Sequence, residues 1–376
     1  MRSTIHPKVK TTAPVFKLGE TVHIGGCGVV THIPDVDGCI HRLLQLTDGT
    51  RTCDDIHADL AIDYPHVTEE DVAGAIRGFD AAGFLENASA SSAGVLDDYS
   101  MRRWARNLSF FESYARLDHD KFSYQRRLQD VRVGLLGVGG LGSHLLYDLA
   151  AAGVGDIRIV DFDTVDLSNL NRQIIYNEAD IGRPKIEVAA ERIQAFSPRL
   201  QVDAVQARIG SGDEVRELIE DRDIVISVVD RPTMSIGNWV NEGCVAAGVP
   251  FIAGGVETRR AVYYTIVPGT TGCIECWRSC VAREDPMSAV LLDEQRRIGF
   301  EGDDAAFGPL VTVLAGCMLA EFVRFATGIA PQVATGRLME IRFDDLSVGE
   351  VERWDRDEDC SVCAHSAATS RQTAAA

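Results

Sequence analysis

Short apolar stretches separated by glycines open the chain. Residues 14–18 (PVFKL), 21–25 (TVHIG) and 28–33 (GVVTHI) are broken at Gly19 and at the Gly25–Gly26 pair, which predicts three short strands. Helical patterning follows. HRLLQL (41–46) ends at the turn TDGT, Thr52 stands where it can cap a segment running to Leu60, and Thr68 with Asp71 has capping-box spacing before VAGAIRGFDAAGFL (72–85). The small polar run ENASASSAG (86–94) reads as a linker. The expected organisation is an α+β, winged-helix-like domain of three strands and three helices over residues 1–93, a helical linker over 94–130 and a second domain over 131–376. In that second domain VRVGLLG (131–137), IRIVDFD (157–163), QVDAVQA (201–207) and DIVISVVD (223–230) are strand-like and alternate with helical segments such as PKIEVAAERIQAF (184–196). This is the pattern of an α/β fold with a doubly wound, Rossmann-like parallel sheet. No internal repeat stands out, and the tail from Ser366 to Ala376 is expected to be mobile and without function.

Composition narrows the partners. With 37 Lys and Arg against 56 Asp and Glu, a net charge of -19, and no strong basic patch, the chain predicts no nucleic-acid or anionic-membrane partner. The first residues lack the apolar core of a signal peptide, and no run is expected to span a membrane, so a cytoplasmic location is predicted. Ten cysteines in a reducing compartment point to metal binding or chemistry rather than disulfides.

The candidate chemistry begins at VGLLGVGGLGSHLL (133–146), where Gly137, Gly139 and Gly142 satisfy G-x-G-x-x-G between a strand and a helix. Such a turn brings backbone amides and a helix N-terminus close to a diphosphate. Asp161 ends the next strand, 19 residues after Gly142, where a carboxylate commonly takes ribose hydroxyls. Both features suit a dinucleotide as well as ATP. SNLNRQ (168–173) and GRPK (182–185) then bring Arg172 and Lys185 towards the same sheet edge, and Asp230 ends the strand 223–230 there. Two cations and a lone carboxylate beside a glycine loop favour Mg-ATP.

GVGGLG, DFDTVDLSNLNRQ, GRPK and the strand-terminal Asp230 together resemble the E1-like activating enzymes, the ThiF/MoeB/HesA family of sulfur-carrier activators, over residues 131–365. The resemblance implies ATP-dependent adenylation with release of AMP and pyrophosphate. It implies a nucleotide site of Gly137, Gly139, Gly140, Gly142, Asp161 (ribose), Asp163, Asn169, Arg172, Gln173 and Lys185, with Asp230 holding magnesium. RWARNLSFF (103–111) is similar to the arginine segment preceding the glycine loop, with Asn107 in place of glutamine; Arg106 would then reach the partner's ATP across a homodimer. The catalytic set is thus Arg106, Arg172, Lys185 and Asp230.

Two C-x-x-C pairs, Cys273/Cys276 in GCIEC and Cys360/Cys363 in DCSVC, supply four thiolates for a structural zinc ion. Family members that carry substrate as a thioester or persulfide place a reactive cysteine in the crossover region. Here that region, residues 277–310, holds only Cys280, close to the first pair, which reads as a packed or exposed thiol. The acidic crossover suits a loop that closes over a bound peptide.

LLQLTDGTRTCDDIHADL (43–60) and VAGAIRGFDAAGFLEN (72–87) resemble the PqqD-like leader-peptide recognition domain, which adds an extended peptide beside its third strand. A winged-helix DNA-binding domain is disfavoured because Glu69, Glu70, Asp71 and Asp80 outnumber Arg77 on the third helix. The combined resemblance is to microcin-C-type peptide adenylyltransferases. A sulfur-carrier activator and a non-catalytic scaffold presenting a leader peptide to a cyclodehydratase remain as alternatives.

Overall fold

The structure, a computed structural model, describes residues 5–26, 29–92, 94–299 and 305–366. The chain divides into two compact units, Met1–Arg127 and Leu128–Ala376. The tail beyond residue 366 and residues 300–304 of the crossover lie outside the described residues.

The first unit contains β1 (Pro7–Val9), β2 (Val15–Leu18), β3 (Thr21–Gly26), β4 (Val29–Pro34), α1 (Cys39–Leu46), α2 (Cys53–Asp63), α3 (Glu69–Ala81) and β5 (Leu85–Asn87). After them come α4 (Asp98–Arg103), α5 (Ala105–Glu112) and α6 (Lys121–Asp130). The three predicted strands form an antiparallel sheet in the order β2-β3-β4. Val22 and Ile24 turn their side chains to one face and bury them with Leu43, Ile56, Leu60, Val72, Ile76 and Phe79. Thr52 and Thr68 each form a full capping box, with Asp55 and Asp71 respectively. Each satisfies two helix N-terminal donors and fixes where its helix starts. The short pair β1–β5, with Pro7 opposite Asn87, is absent from the sequence pattern because it joins three-residue segments at the two ends of the small domain.

The helical segment expected as a linker is bound to these elements by buried charge. Lys10 Nζ donates to the carbonyls of Gly83 (2.7 Å) and Ser113 (3.1 Å). Lys121 pairs with Glu86 (2.9 Å) and Glu112 (2.7 Å), and Glu112 accepts from Thr11.

The second unit contains β6 (Arg132–Leu136), α7 (Gly140–Ala152), β7 (Asp156–Asp161), α8 (Lys185–Phe196), β8 (Gln201–Gln206), α9 (Gly212–Ile219), β9 (Ile224–Ser227) and α10 (Ile236–Ala247). It continues with β10 (Phe251–Glu257), β11 (Arg260–Ile266), α11 (Ile274–Glu284), α12 (Pro286–Arg297), α13 (Gly308–Thr327), β12 (Arg337–Arg342) and β13 (Val348–Arg353). All eight strands form one sheet in the order β13-β12-β11-β10-β9-β6-β7-β8. From β10 to β8 neighbours run parallel, as the doubly wound reading expects, whereas β10 to β13 form an antiparallel extension. The chain moves from β6 to β7 and β8 on one side and returns to β9 on the other, so strand order reverses beside β6. Ligands of such sheets bind at the carboxyl ends of the strands at this reversal.

Two expectations are corrected. The crossover is largely helical rather than a loop: Asp285 caps α12 through Ser288 N, and Pro286 occupies its first turn. Among the described residues one helix, Gly308–Thr327, is long and apolar enough by length and composition to cross a membrane, contrary to the expectation that no such run exists. It is α13, which buries Leu310, Leu314, Met318 and Phe322 and packs on α7, β10 and β11.

Candidate active site

The glycine loop lies at the carboxyl end of β6, whose Val133, Leu135 and Leu136 are fully buried. Gly137 takes φ +94°, a conformation that favours glycine, and its N–H donates to Val160 O (2.8 Å), tying the turn to β7. Gly142 sits so close beneath the turn that an added Cβ would lie 2.0 Å from Gly137 O. The first turn of α7 therefore packs directly on the loop, and no side chain caps it, which leaves its leading amides open to an anion.

Asp161 ends β7 beside this loop. Its Oδ2 accepts from Val138 N (2.8 Å) and its Oδ1 from Asp163 N (2.9 Å), so the carboxylate shapes the loop while keeping acceptor capacity for a ribose hydroxyl. Asp163 in turn holds Lys185, at 3.0 Å between side chains, and accepts Lys185 N on its own carbonyl (2.9 Å). The Lys185 side chain is only 7% exposed, which fixes its ammonium at the start of α8.

SNLNRQ forms a short 3-10 turn, Leu167–Asn169, in which Asn169 Oδ1 accepts from Asp166 N (3.1 Å). Arg172 Nη1 donates to Ser168 O (3.2 Å) and Asn171 Oδ1 (2.9 Å), and its aliphatic stem lies along Gly140. Gln173 is buried against Gly139, and among the described residues its Oε1 has no hydrogen-bond partner. A buried acceptor without a partner is costly and suits a site completed by ligand or solvent.

Asp230 follows β9. Val228 N donates to Leu136 O (2.9 Å), holding the end of β9 beside the end of β6. The second unit thus places the glycine loop, Asp161, Asp163, Asn169, Arg172, Gln173, Lys185 and Asp230 at or just beyond the carboxyl ends of β6, β7 and β9. Arg106 is exposed on α5 and belongs to the other unit.

Two contributors escaped the sequence analysis. Tyr176 is buried and donates its hydroxyl to Val138 O (2.8 Å), close also to Lys185 O (3.4 Å). Burial pushes that hydroxyl well above its ordinary pKa, so it remains a donor. On α7, His144 Nε2 donates to the Arg172 carbonyl (3.2 Å). Both partners are backbone carbonyls remote in sequence, which leaves no local motif to read.

The second centre is the cysteine group. Sγ–Sγ separations are 3.9 Å for Cys273–Cys276, 3.6 Å for Cys273–Cys360 and 3.4 Å for Cys276–Cys363, and all four side chains are buried. Bonds of about 2.3 Å from a tetrahedral ion would put thiolates about 3.8 Å apart, whereas a disulfide needs about 2.05 Å. The donor set therefore fits a thiolate-bound metal such as zinc. Arg356 braces the second pair by donating to the carbonyls of Cys363 (2.8 Å) and Ala364 (2.9 Å), and Trp354 Nε1 donates to Gly272 O (3.1 Å). Cys280 stands apart on α11, half-buried, its thiol pushed up by desolvation and by Glu284, the opposite of an activated nucleophile.

Residues 106–362 match the ThiF family. The molybdopterin-synthase adenylyltransferase of Escherichia coli K12 is 30% identical over 243 residues, covering 64% of this chain and 90% of that protein. The sulfur carrier protein adenylyltransferase of Thermus thermophilus is 32% identical over 248 residues, covering 64% and 84%. Among solved structures, E. coli MccB crystallised with ATP shares the fold at a TM-score of 0.74 and 23% identity, covering 95% of this chain and 99% of MccB. The chain belongs to the ThiF family and is an ATP-dependent, E1-like adenylyltransferase.

Proposed function

We propose that this enzyme adenylates a carboxylate of a ribosomally made precursor peptide, its C-terminus, and thereby activates it for modification in natural-product biosynthesis. The observation that carries the peptide reading is the first unit. Its three-stranded sheet leaves β4 at an edge, paired among the described residues only with β3, and that sheet lies wholly before the ThiF match, which starts at residue 106. Such an edge can accept an extended peptide as a further strand. In this reading residues 1–93 form a PqqD-like leader-binding domain, 94–130 a helical connection and 131–376 the adenylation domain. MccB, whose fold the chain shares over 95% of its length, is solved with the peptide MccA.

The peptide carboxylate oxygen attacks the α-phosphorus of ATP, the bond to the β-phosphate oxygen breaks, and pyrophosphate leaves with that electron pair. The glycine-loop amides, Asn169, Arg172, Gln173 and Lys185 bind the phosphates, and Asp161 and Asp163 orient the ribose end. Arg106 acts on the partner's nucleotide in a homodimer. Asp230 would hold the magnesium that accompanies ATP, which supplies charge neutralisation there. Catalysis is then positioning and electrostatics, with no cysteine intermediate. Zinc at the four cysteines is structural, and the enzyme works in the cytoplasm.

A second reading, activation of a ubiquitin-like sulfur carrier, is favoured by the 32% identity to the sulfur carrier protein adenylyltransferase of Thermus thermophilus. A scaffold without catalysis has no use for Lys185 and Arg172 held beside an uncapped helix. Pyrophosphate and AMP release from ATP, measured with short peptides found by reading the neighbouring genes and with a sulfur carrier ending in Gly-Gly, separates these. Turnover with the carrier alone rejects the peptide reading, and ADP with phosphate rejects adenylation. Deleting residues 1–93 is expected to abolish tight peptide binding and spare ATP binding.

A further inference from the structure

His23 and His32 face each other directly across β3 and β4, with Nδ1 atoms 2.7 Å apart and ring planes at 82°. Val22 and Ile24, on either side of His23, are fully buried, so alternation directs His23 to the opposite, outer face of the sheet. His32 is exposed beside it, and Phe16, across from His23 on β2, is 54% exposed. Each imidazole is the other's only side-chain partner: neither ring meets a carboxylate or backbone carbonyl among the described residues.

We propose that His23 and His32 form a surface chelate for a divalent late first-row transition ion, separate from the four-cysteine centre. Neutral imidazole suits nickel, copper and zinc. Two nitrogens bound to one ion at about 2.0–2.1 Å, and about 90–109° apart, are roughly 2.8–3.4 Å from each other. The observed separation of 2.7 Å lies just below that range, as a hydrogen bond between the rings requires. Exposed imidazoles have a broad terminal torsion and open by that amount without moving the strands. The ring donating its Nδ1 proton becomes the Nε2–H tautomer, both Nδ1 lone pairs turn to the ion, and the neutral pair loses no proton. Water completes the coordination from the solvent side. Because the ligands come from adjacent strands, the ion pins β3 to β4, and binding stabilises the first unit by linkage. The inference does not depend on which substrate is adenylated.

The test uses the full-length, zinc-replete protein at pH 7.5 with nickel(II) chloride. Equilibrium dialysis with elemental analysis measures added nickel and retained zinc, and diethyl pyrocarbonate labelling read by mass spectrometry reports each histidine. The expected result is one additional nickel per chain with zinc unchanged, joint protection of His23 and His32, and at least tenfold weaker nickel binding in both His23→Gln and His32→Gln. These positions are on the outer face, and circular dichroism verifies that each variant is folded. Nickel binding unaltered by either substitution, protection of only one ring, or nickel entering only as zinc leaves would overturn the proposal.

Discussion

Gly142→Ala is the sharpest test of how the glycine loop is built. The new Cβ would lie 2.0 Å from Gly137 O and 2.8 Å from Gly137 C. An ordinary carbon–oxygen contact is about 3.2 Å, so roughly 1.2 Å of overlap must be relieved, and both atoms it meets are backbone. Rotating the Gly137–Val138 peptide away breaks the bond from Val138 N to Asp161; sliding α7 away moves the uncapped amides of its first turn, which are proposed to bind the phosphates. A misplacement of about 1 Å costs on the order of 100-fold in a positioned reaction, or about 2.7 kcal/mol. The overpacking itself destabilises by about 1–3 kcal/mol, a Tm loss of several degrees for a unit of this size. Calorimetric titration with ATP and pyrophosphate exchange measure the first effect, thermal denaturation the second. Gly316→Ala is the control: an added Cβ meets nothing within 4 Å inside α13, so activity stays and stability rises by about 0.5–1 kcal/mol. A Gly142→Ala enzyme with wild-type ATP affinity and Tm refutes the packing argument.

Other consequences follow from the same geometry. Asp230→Ala is expected to slow pyrophosphate release by about 100-fold or more, while Cys280→Ala leaves the rate within about twofold; the reverse order restores a covalent thioester route. Cys276→Ser is expected to lower the metal content measured by elemental analysis and to cost more than about 5 °C in Tm, since metal binding is coupled to folding; full metal retention removes the cysteine centre. Lys10 is buried, and desolvation followed by the nearby Arg116 lowers its pKa to about 8. The folded state then binds fewer protons than the unfolded one between about pH 8 and 10.5. The stability of wild type relative to Lys10→Met rises across that window by up to about 3 kcal/mol. Denaturant melts of both proteins at pH 7.5 and 10 check it; a flat difference shows that Lys10 is solvated, and a falling one that the neighbouring carboxylates outweigh its burial.

What was legible in the sequence was whatever is written locally. Thr52 and Thr68 stand three residues before the carboxylates that complete their boxes, and Asp161 and Asp230 follow runs of buried β residues. The antiparallel extension of the large sheet, β10 to β13, was not legible for a packing reason. β10 reads FIAGGVE, and its glycines look like a loop; yet a Cβ on Gly254 would come 2.7 Å from Met318 Sδ, so glycine there is what lets α13 lie on the sheet. The crossover helix α12 buries no residue, so it lacks the one-sided apolar stripe that marks a packed helix.

The site residues themselves are more interdependent than their motifs suggest. Asp161 holds Val138 N and Asp163 N, Asp163 holds Lys185, and Tyr176 holds the Val138 carbonyl, so one hydrogen-bonded chain runs from the loop to the cation. Three of those four bonds end on a backbone group, which a motif cannot record. Because each link positions the next, removing any one displaces groups that the others still hold, and the losses from single substitutions overlap rather than add. The same reasoning explains why an acidic protein keeps two carboxylates at a site for a polyanion. Asp161 accepts from two backbone amides and Asp163 pairs with Lys185, so both carboxylates are already partnered within the protein, and in the proposed pose the loop amides, the first turn of α7, Arg172 and Lys185 are left to meet the phosphates.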